Sequence, residues 1–316
     1  MVNTRSYDFK TQSMSSKKLA LVGLSILLLV TVFVFGAEIK SSLLGKSTNK
    51  TDKAFQKYWY DGNAELASYK LTQSRYGELH EGHAVLIFVT EDFSKSKQVK
   101  LDNPQKAGKD AMPILKCNFT KKFNTGIYPY SLMASIYTPV DFSGTLKTTA
   151  SVQEWCGQSF TQLNATKNQT FSVQQFSYFE GEGDQITELP HALLEDEIWN
   201  IIRLDPKALP TGKVEVIPGS FSSRLRHKPL KMEQATLGVK DLEDRMEVEV
   251  VWEDRSLVIK FDKAFPHKIL GWEETYSEFG GKKMTTKAEL IKDLRLPYWK
   301  LHNNEHLIYR DSLGIM

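Results

Sequence analysis

From residue 65 onward, apolar and polar positions trade places at short intervals. Leu71, Gln73 and Arg75 share one face of a predicted strand, and residues 84–90 form a near-continuous apolar one. Segments 114–123, 130–138, 146–155 and 170–179 follow, separated by Gly, Pro or Asn. Runs of β-branched and aromatic residues with turn signals at this spacing predict antiparallel sheet. One stretch changes period. Between His191 and Leu204, the residues Leu194, Ile198, Ile201 and Ile202 fall at helical spacing. Pro190 suits the start of a helix there, and Asp205-Pro206 ends it. Strand patterns then resume over 213–217, 231–239, 246–252, 257–261, 269–276 and 284–291.

Strands, one central helix, then strands is not a βαβ alternation, which argues against a parallel doubly wound sheet. The expected fold is mainly β: a large curved antiparallel sheet or open barrel. Its one central helix is expected to cover an end or the concave face. A short aromatic segment, 54–60, is expected to form a helical turn packed on this body.

The N-terminal pattern is different again. Lys17 and Lys18 precede an uncharged apolar run from Leu19 to Ala37. As a helix this run spans roughly 28 Å, close to the hydrocarbon thickness of a bilayer. A cleaved signal peptide needs small residues before the cut. Cleavage after Gly36 leaves Val34 at the third position back, which is passable, and cleavage after Ala37 leaves Phe35 there, which is poor. The length of the run also favours an uncleaved signal anchor. The expected layout is a cytoplasmic leader (1–18), a transmembrane anchor (19–37), a Ser-, Lys- and Thr-rich linker (38–53) and a β-rich extracytoplasmic domain (54–316).

Charge agrees with that orientation. The leader carries Arg5, Lys10, Lys17 and Lys18 against Asp8. The chain has 41 basic and 38 acidic residues, so the part beyond the anchor is neutral. Positive charge before the segment holds that end in the cytoplasm. A neutral body also argues against nucleic acid, which selects basic surfaces. Cys117 and Cys156 would be free to pair in an oxidising compartment, but one bridge cannot staple a body of this size.

Most candidate motifs lack their chemical context. His302-Asn303-Asn304-Glu305-His306 matches an inverted zinc-protease pattern, but that chemistry needs a helix and a later third ligand. Glu78-Leu79-His80-Glu81-Gly82-His83 reads as a solvated hairpin turn. Glu180-Gly181-Glu182-Gly183-Asp184 alternates acids with Gly, but lacks the Glu that closes a calcium loop. Cys156 has no His near it in sequence to make a thiolate, and reads as a packed residue at a strand end. No catalytic residue, metal site or cofactor is assigned. The charge layout is more informative. Tyr178 to Ile202 holds seven acidic residues and no Lys or Arg, and the segment after it is basic. If extended, Arg224, Arg226 and Lys228 share one face and could grip a phosphate or carboxylate, or pair with the acidic block.

Several stretches resemble a known group. Tyr58-Trp59-Tyr60-Asp61-Gly62-Asn63-Ala64-Glu65, Ser74-Arg75-Tyr76-Gly77-Glu78 and the run from Lys122 to Ser131 are three of them. Val152-Gln153-Glu154-Trp155-Cys156-Gly157 and Arg310-Asp311-Ser312-Leu313-Gly314 are two more. Together they are similar to an uncharacterised family of exported or membrane-anchored bacterial proteins. The resemblance implies a Gram-negative-type envelope and no activity. Some members carry the label septum formation inhibitor Maf. Genuine Maf pyrophosphatases are cytosolic α/β proteins with a Ser-x-x-Arg-Arg start, which this chain lacks. The layout also resembles open-barrel envelope proteins that carry lipids or lipoproteins, at the level of fold alone.

The expected function is a non-enzymatic envelope protein of the periplasm that binds an apolar or amphipathic ligand, such as a lipid, or a partner protein. The alternative is an extracytoplasmic hydrolase whose site is assembled from distant residues. An apolar cavity within the sheet would favour the first, and carboxylates or His converging in a polar cleft the second.

Overall fold

The computed structural model describes residues 53–278 and 281–315. The expected anchor from Leu19 to Ala37, the leader and residues 38–52 of the linker lie outside them. No helix among the described residues is long and apolar enough to cross a membrane.

The body opens with α1 (Lys53–Trp59), a helix too short to persist alone. Phe55 and Trp59 hold it, each 1% exposed. Eight strands follow, β1 (Ala64–Arg75), β2 (Glu78–Ser94), β3 (Ala111–Thr125), β4 (Tyr128–Pro139), β5 (Lys147–Glu154), β6 (Gly157–Ala165), β7 (Thr170–Ser177) and β8 (Gln185–Pro190). A short helix, α2 (Pro104–Ala107), sits between β2 and β3. Then come β9 (Leu193–Leu194), α3 (Glu195–Leu204), β10 (Gly212–Ile217) and α4 (Ser220–Leu225). The chain ends with β11 (Glu233–Asp241), β12 (Met246–Val251), β13 (Arg255–Phe261), β14 (Ile269–Ser277), β15 (Lys283–Leu296) and α5 (Ile308–Leu313).

The fifteen strands among the described residues form one sheet, in the order 8-7-6-5-4-3-2-1-15-14-13-12-11-10-9. The first meander runs outward from β1 to β8. The chain then crosses to the far edge and returns strand by strand to β15, which pairs with β1. Every pairing is antiparallel except β9 with β10. The two edges meet through side chains. Phe171 and Val173 of β7 pack in one apolar cluster with Leu194, Ile217 and Leu230 from the other edge. The result is an open barrel with a seam.

α3 fills the barrel. Nine of its ten residues are buried, and Ile198, Trp199, Ile201, Ile202 and Leu204 join a core fed by both meanders. Trp199 lies 5.2 Å from Phe119 and 5.3 Å from Trp272, ring centre to ring centre. The concave face is thus packed with side chains. Outside the barrel, α5 covers β1, β2 and β15 through Leu313 and Ile315.

Three local expectations change. The helix begins at Glu195, four residues later than its spacing predicts, because Leu193 and Leu194 pair with Val216 and Ile217 as a strand. The segment 78–83 is strand, with the turn two residues earlier at Tyr76-Gly77, both left-handed at φ 56° and 76°. Such a two-residue turn matches the twist of the flanking strands. Finally, Arg224, Arg226 and Lys228 do not lie on an extended face. Residues Ser220–Leu225 are helical and His227 is left-handed at φ 51°, so Arg224 parts from the other two: it pairs with Glu182, while Arg226 and Lys228 meet Asp254.

Candidate functional site at the rim of the barrel

The β1–β2, β3–β4, β5–β6 and β7–β8 turns lie at one end of the barrel, as do the β10–β11 connection carrying α4 and the β12–β13 turn. This follows from the strict up-and-down order of neighbouring strands. An aromatic residue flanks each of the first four turns: Tyr76, Tyr128, Trp155 and Tyr178. Trp155 and Tyr178 are each 67% exposed. Tyr128 and Trp155 stack at 6.3 Å. Gly157 makes room for Tyr178, since a Cβ there would lie 2.6 Å from the side chain of Tyr178.

Inside this ring of aromatics is a polar network. Tyr128 donates to the Tyr76 hydroxyl at 3.2 Å, and Tyr76 and Tyr130 share a hydrogen bond of 2.7 Å. The Arg75 guanidinium stands 4.3 Å from the centre of the Tyr76 ring and donates to the Leu225 carbonyl. Burial works to raise the Tyr76 phenol, but donation from Tyr128 and Tyr130 and the Arg75 charge outweigh it, so its pKa lies below the usual value. Across the seam, His227 Nδ1 meets Glu182 at 2.5 Å, and Arg224 meets the same carboxylate at 3.6 Å. His227 Nε2 faces Arg75 at 3.3 Å. Arg224 also lies 4.3 Å from the ring centre of Phe179.

Below the rim lies a buried ionic floor. Arg255 bridges Glu195 and Glu274, at 2.8 and 2.9 Å from Nη1. Gly219 N–H donates to Glu195 at 2.8 Å, and Ser220 N–H and Oγ donate to Asp196 at 3.1 and 2.9 Å. Burial pushes the Asp196 carboxyl up to about 6, with the neighbouring Glu195 charge adding to it. Lys121 occupies an inward position on β3 where the pattern calls for an apolar residue. Its ammonium is within 6 Å of the ring centres of Phe119, Phe221 and Trp272. Burial lowers its pKa although Glu274 and Glu195 oppose this.

The residues singled out from sequence separate. Arg224 belongs to the rim network and pairs with Glu182 of the acidic block. Arg226 and Lys228 both meet Asp254, Lys228 at 3.8 Å and exposed, Arg226 largely buried and 5.6 Å from the centre of the Tyr276 ring. Cys117 and Cys156 are both free. Cys117 is in the core, where burial drives its thiol well up. Cys156 is exposed at the β5–β6 turn rather than packed, and its bond with Glu154 pushes its thiol up as well. His302 precedes a short 3-10 turn, Asn304–Leu307, that contains His306. Among the described residues, no group of three or more His, Cys, Asp or Glu side chains converges as a metal site. A depression of about 230 Å³ lies on the outside of the barrel, lined by Glu91, Lys100 and Trp299 among others, well away from the rim. The rim aromatics escaped sequence reading one by one. Their signal is a shared one: Tyr76-Gly77, Gly126-Ile127-Tyr128 and Trp155-Cys156-Gly157 each set an aromatic beside a turn glycine.

No family model and no curated protein matches the chain. Among solved structures, it is similar to a β-barrel-like protein of a domain of unknown function, DUF1849, from Brucella abortus. The two are 9% identical with a TM-score of 0.44, over 73% of this chain and 97% of that one.

Proposed function

We propose that this protein is a non-enzymatic binding protein, tethered in a Gram-negative-type inner membrane by the run from Leu19 to Ala37. Its body, residues 54–316, works in the periplasm and takes an amphipathic anionic ligand, such as a lipid, at the rim. The observation that carries this reading is the division of the barrel. The concave face is filled by α3, while rings of Tyr76, Tyr128, Trp155 and Tyr178 stand at the rim beside Arg75, Arg224 and His227. Apolar chains would lie on the rings, and an anionic head would meet the Arg75 and Arg224 guanidiniums and the His227 ring, at the seam where Arg224 and His227 share the Glu182 carboxylate. Dodecyl phosphate, titrated below its micelle concentration, should quench tryptophan fluorescence in the wild type. The response should be absent in Trp155→Phe with Arg224→Gln. Equal quenching by dodecyl maltoside, or none by either, would count against the reading.

One observation favours a hydrolase as the second reading. Tyr76, with its pKa lowered, lies in a network with Tyr130, Arg75, His227 and Glu182, groups drawn from distant segments. A phenol so placed is suited to general-base work. Turnover of a chromogenic ester or phosphodiester by the wild type, lost in Tyr76→Phe, would select it.

A further inference from the structure

The edge strand β8 offers a surface that the rim reading does not use. The His191 N–H donates to the Gln169 carbonyl at 3.0 Å. The β7–β8 register runs from Thr170 opposite Pro190 to Gln175 opposite Gln185. Bonded and non-bonded pairs alternate in an antiparallel ladder. Leu189, Thr187 and Gln185 therefore bond to β7, and the backbone groups of Ile186 and Glu188 point away from it. β8 ends the strand order, and those groups find no backbone partner among the described residues.

The side chains at this edge have a definite pattern. Asp184, Ile186 and Glu188 alternate onto the outer face. Ile186 is 75% exposed and lies opposite Gln174, as the diagonal neighbour of Phe176 at the end of a row of Met133, Phe160 and Phe176, at 42%, 38% and 40%. The register aligns this row, with Met133 opposite Ser151, Ser151 opposite Phe160, and Phe160 opposite Phe176. Asp184 and Glu188 are exposed and form no ion pair among the described residues, and no Lys or Arg occurs between Tyr178 and Ile202. Edge strands are commonly blunted by Lys, a bulge or a cover. Among the described residues, β8 carries no Lys and no cover; Pro190 at its end and its acidic side chains are what limit it.

We propose that β8 receives an extended segment of a partner protein as an added antiparallel strand, and that the segment reads basic-x-apolar-x-basic. Its apolar residue sits beside Ile186 and joins the row. Its two basic residues face Asp184 and Glu188, and its backbone bonds to Ile186 and Glu188.

The probe is acetyl-Ser-Lys-Thr-Val-Thr-Lys-Ser-amide, added to the full-length chain in lipid nanodiscs. Binding, followed by fluorescence anisotropy of a labelled copy, should come with slowed hydrogen exchange at the Ile186 and Glu188 amides. Methylating the valine nitrogen removes one ladder bond and should weaken binding about tenfold, with charge unchanged. In the protein, Glu188→Pro removes an outward N–H and should abolish binding, whereas Glu188→Gln should weaken it only about threefold. Equal binding of the methylated probe would overturn the proposal, because charge alone would then explain the contact. So would protection of Ile186 that rises with protein concentration without probe, since a second copy would then be the occupant.

Discussion

Arg203 and Glu65 meet at 2.6 Å with both side chains fully buried. The Tyr58 hydroxyl also donates to Glu65, and burial together with that carboxylate pushes the Tyr58 phenol up to about 12. Removing one partner strands the other. Arg203→Met should cost about 3–5 kcal/mol in urea denaturation, while Glu65→Leu with Arg203→Met should recover most of the loss. A double variant as weak as the single one would show that the pair is not the source of the effect. Asp196 makes a prediction in pH. Its folded pKa of about 6 lies above the unfolded carboxylate value, so the native state holds the proton more tightly. That stability is fully present below about pH 4 and is lost as pH rises through 6. Asp196→Asn keeps an acceptor for Ser220 and has no charge to bury. Its melting temperature relative to wild type should climb between pH 4 and 6.5 and then level off. A difference that stays flat across that range would refute the burial account.

At the scale of elements, α3 fastens the two meanders to one core. Trp199 touches Phe119 and Trp272, which come from the two opposite meanders. Trp199→Ala should lose about 3–5 kcal/mol of stability while far-ultraviolet circular dichroism stays strand-like. A loss below 1 kcal/mol would mean that the plug is not fastened by this residue. Its helical period was readable because Leu194, Ile198, Ile201 and Ile202 recur on one face. Its true start was not, since Leu193 and Leu194 join a strand formed with residues more than twenty positions away. β6 and β8 were missed for a related reason. Their sequences, GQSFTQLNA and QITELP, set few apolar residues on either face, with Leu163 and Leu189 inward but Phe160 and Ile186 outward, so no alternation is readable.

At the scale of the molecule, the reading of a tethered body predicts that full-length protein sediments with membranes, resists an alkaline carbonate wash and keeps its N-terminus. Recovery of a soluble form beginning near Glu38 would contradict the uncleaved anchor, and cytosolic recovery would contradict export. The tether also bears on the rim. If the ligand is a lipid, rim variants such as Trp155→Phe with Arg224→Gln should lose lipid co-purification in native mass spectrometry without changing membrane retention. Loss of retention in those variants would mean that the rim itself holds the protein on the membrane.

The class of the fold was legible along the chain because antiparallel strands with one buried face write their period into adjacent residues. The central helix and most strand segments were legible for the same reason. The clustering at 224–228 was legible as composition, but not as geometry. A helix and a left-handed His227 separate Arg224 from Arg226 and Lys228, and those choices depend on Glu195 and Asp196 capping the residues ahead of α4. The meeting of β1 with β15 joins residues more than two hundred positions apart, the seam brings Phe171 to Leu194, Ile217 and Leu230, and no local period encodes such partners. The rim belongs to this second kind. Its aromatics lie at four separate turns, and the up-and-down topology carries all four to one end of the barrel, where they become neighbours.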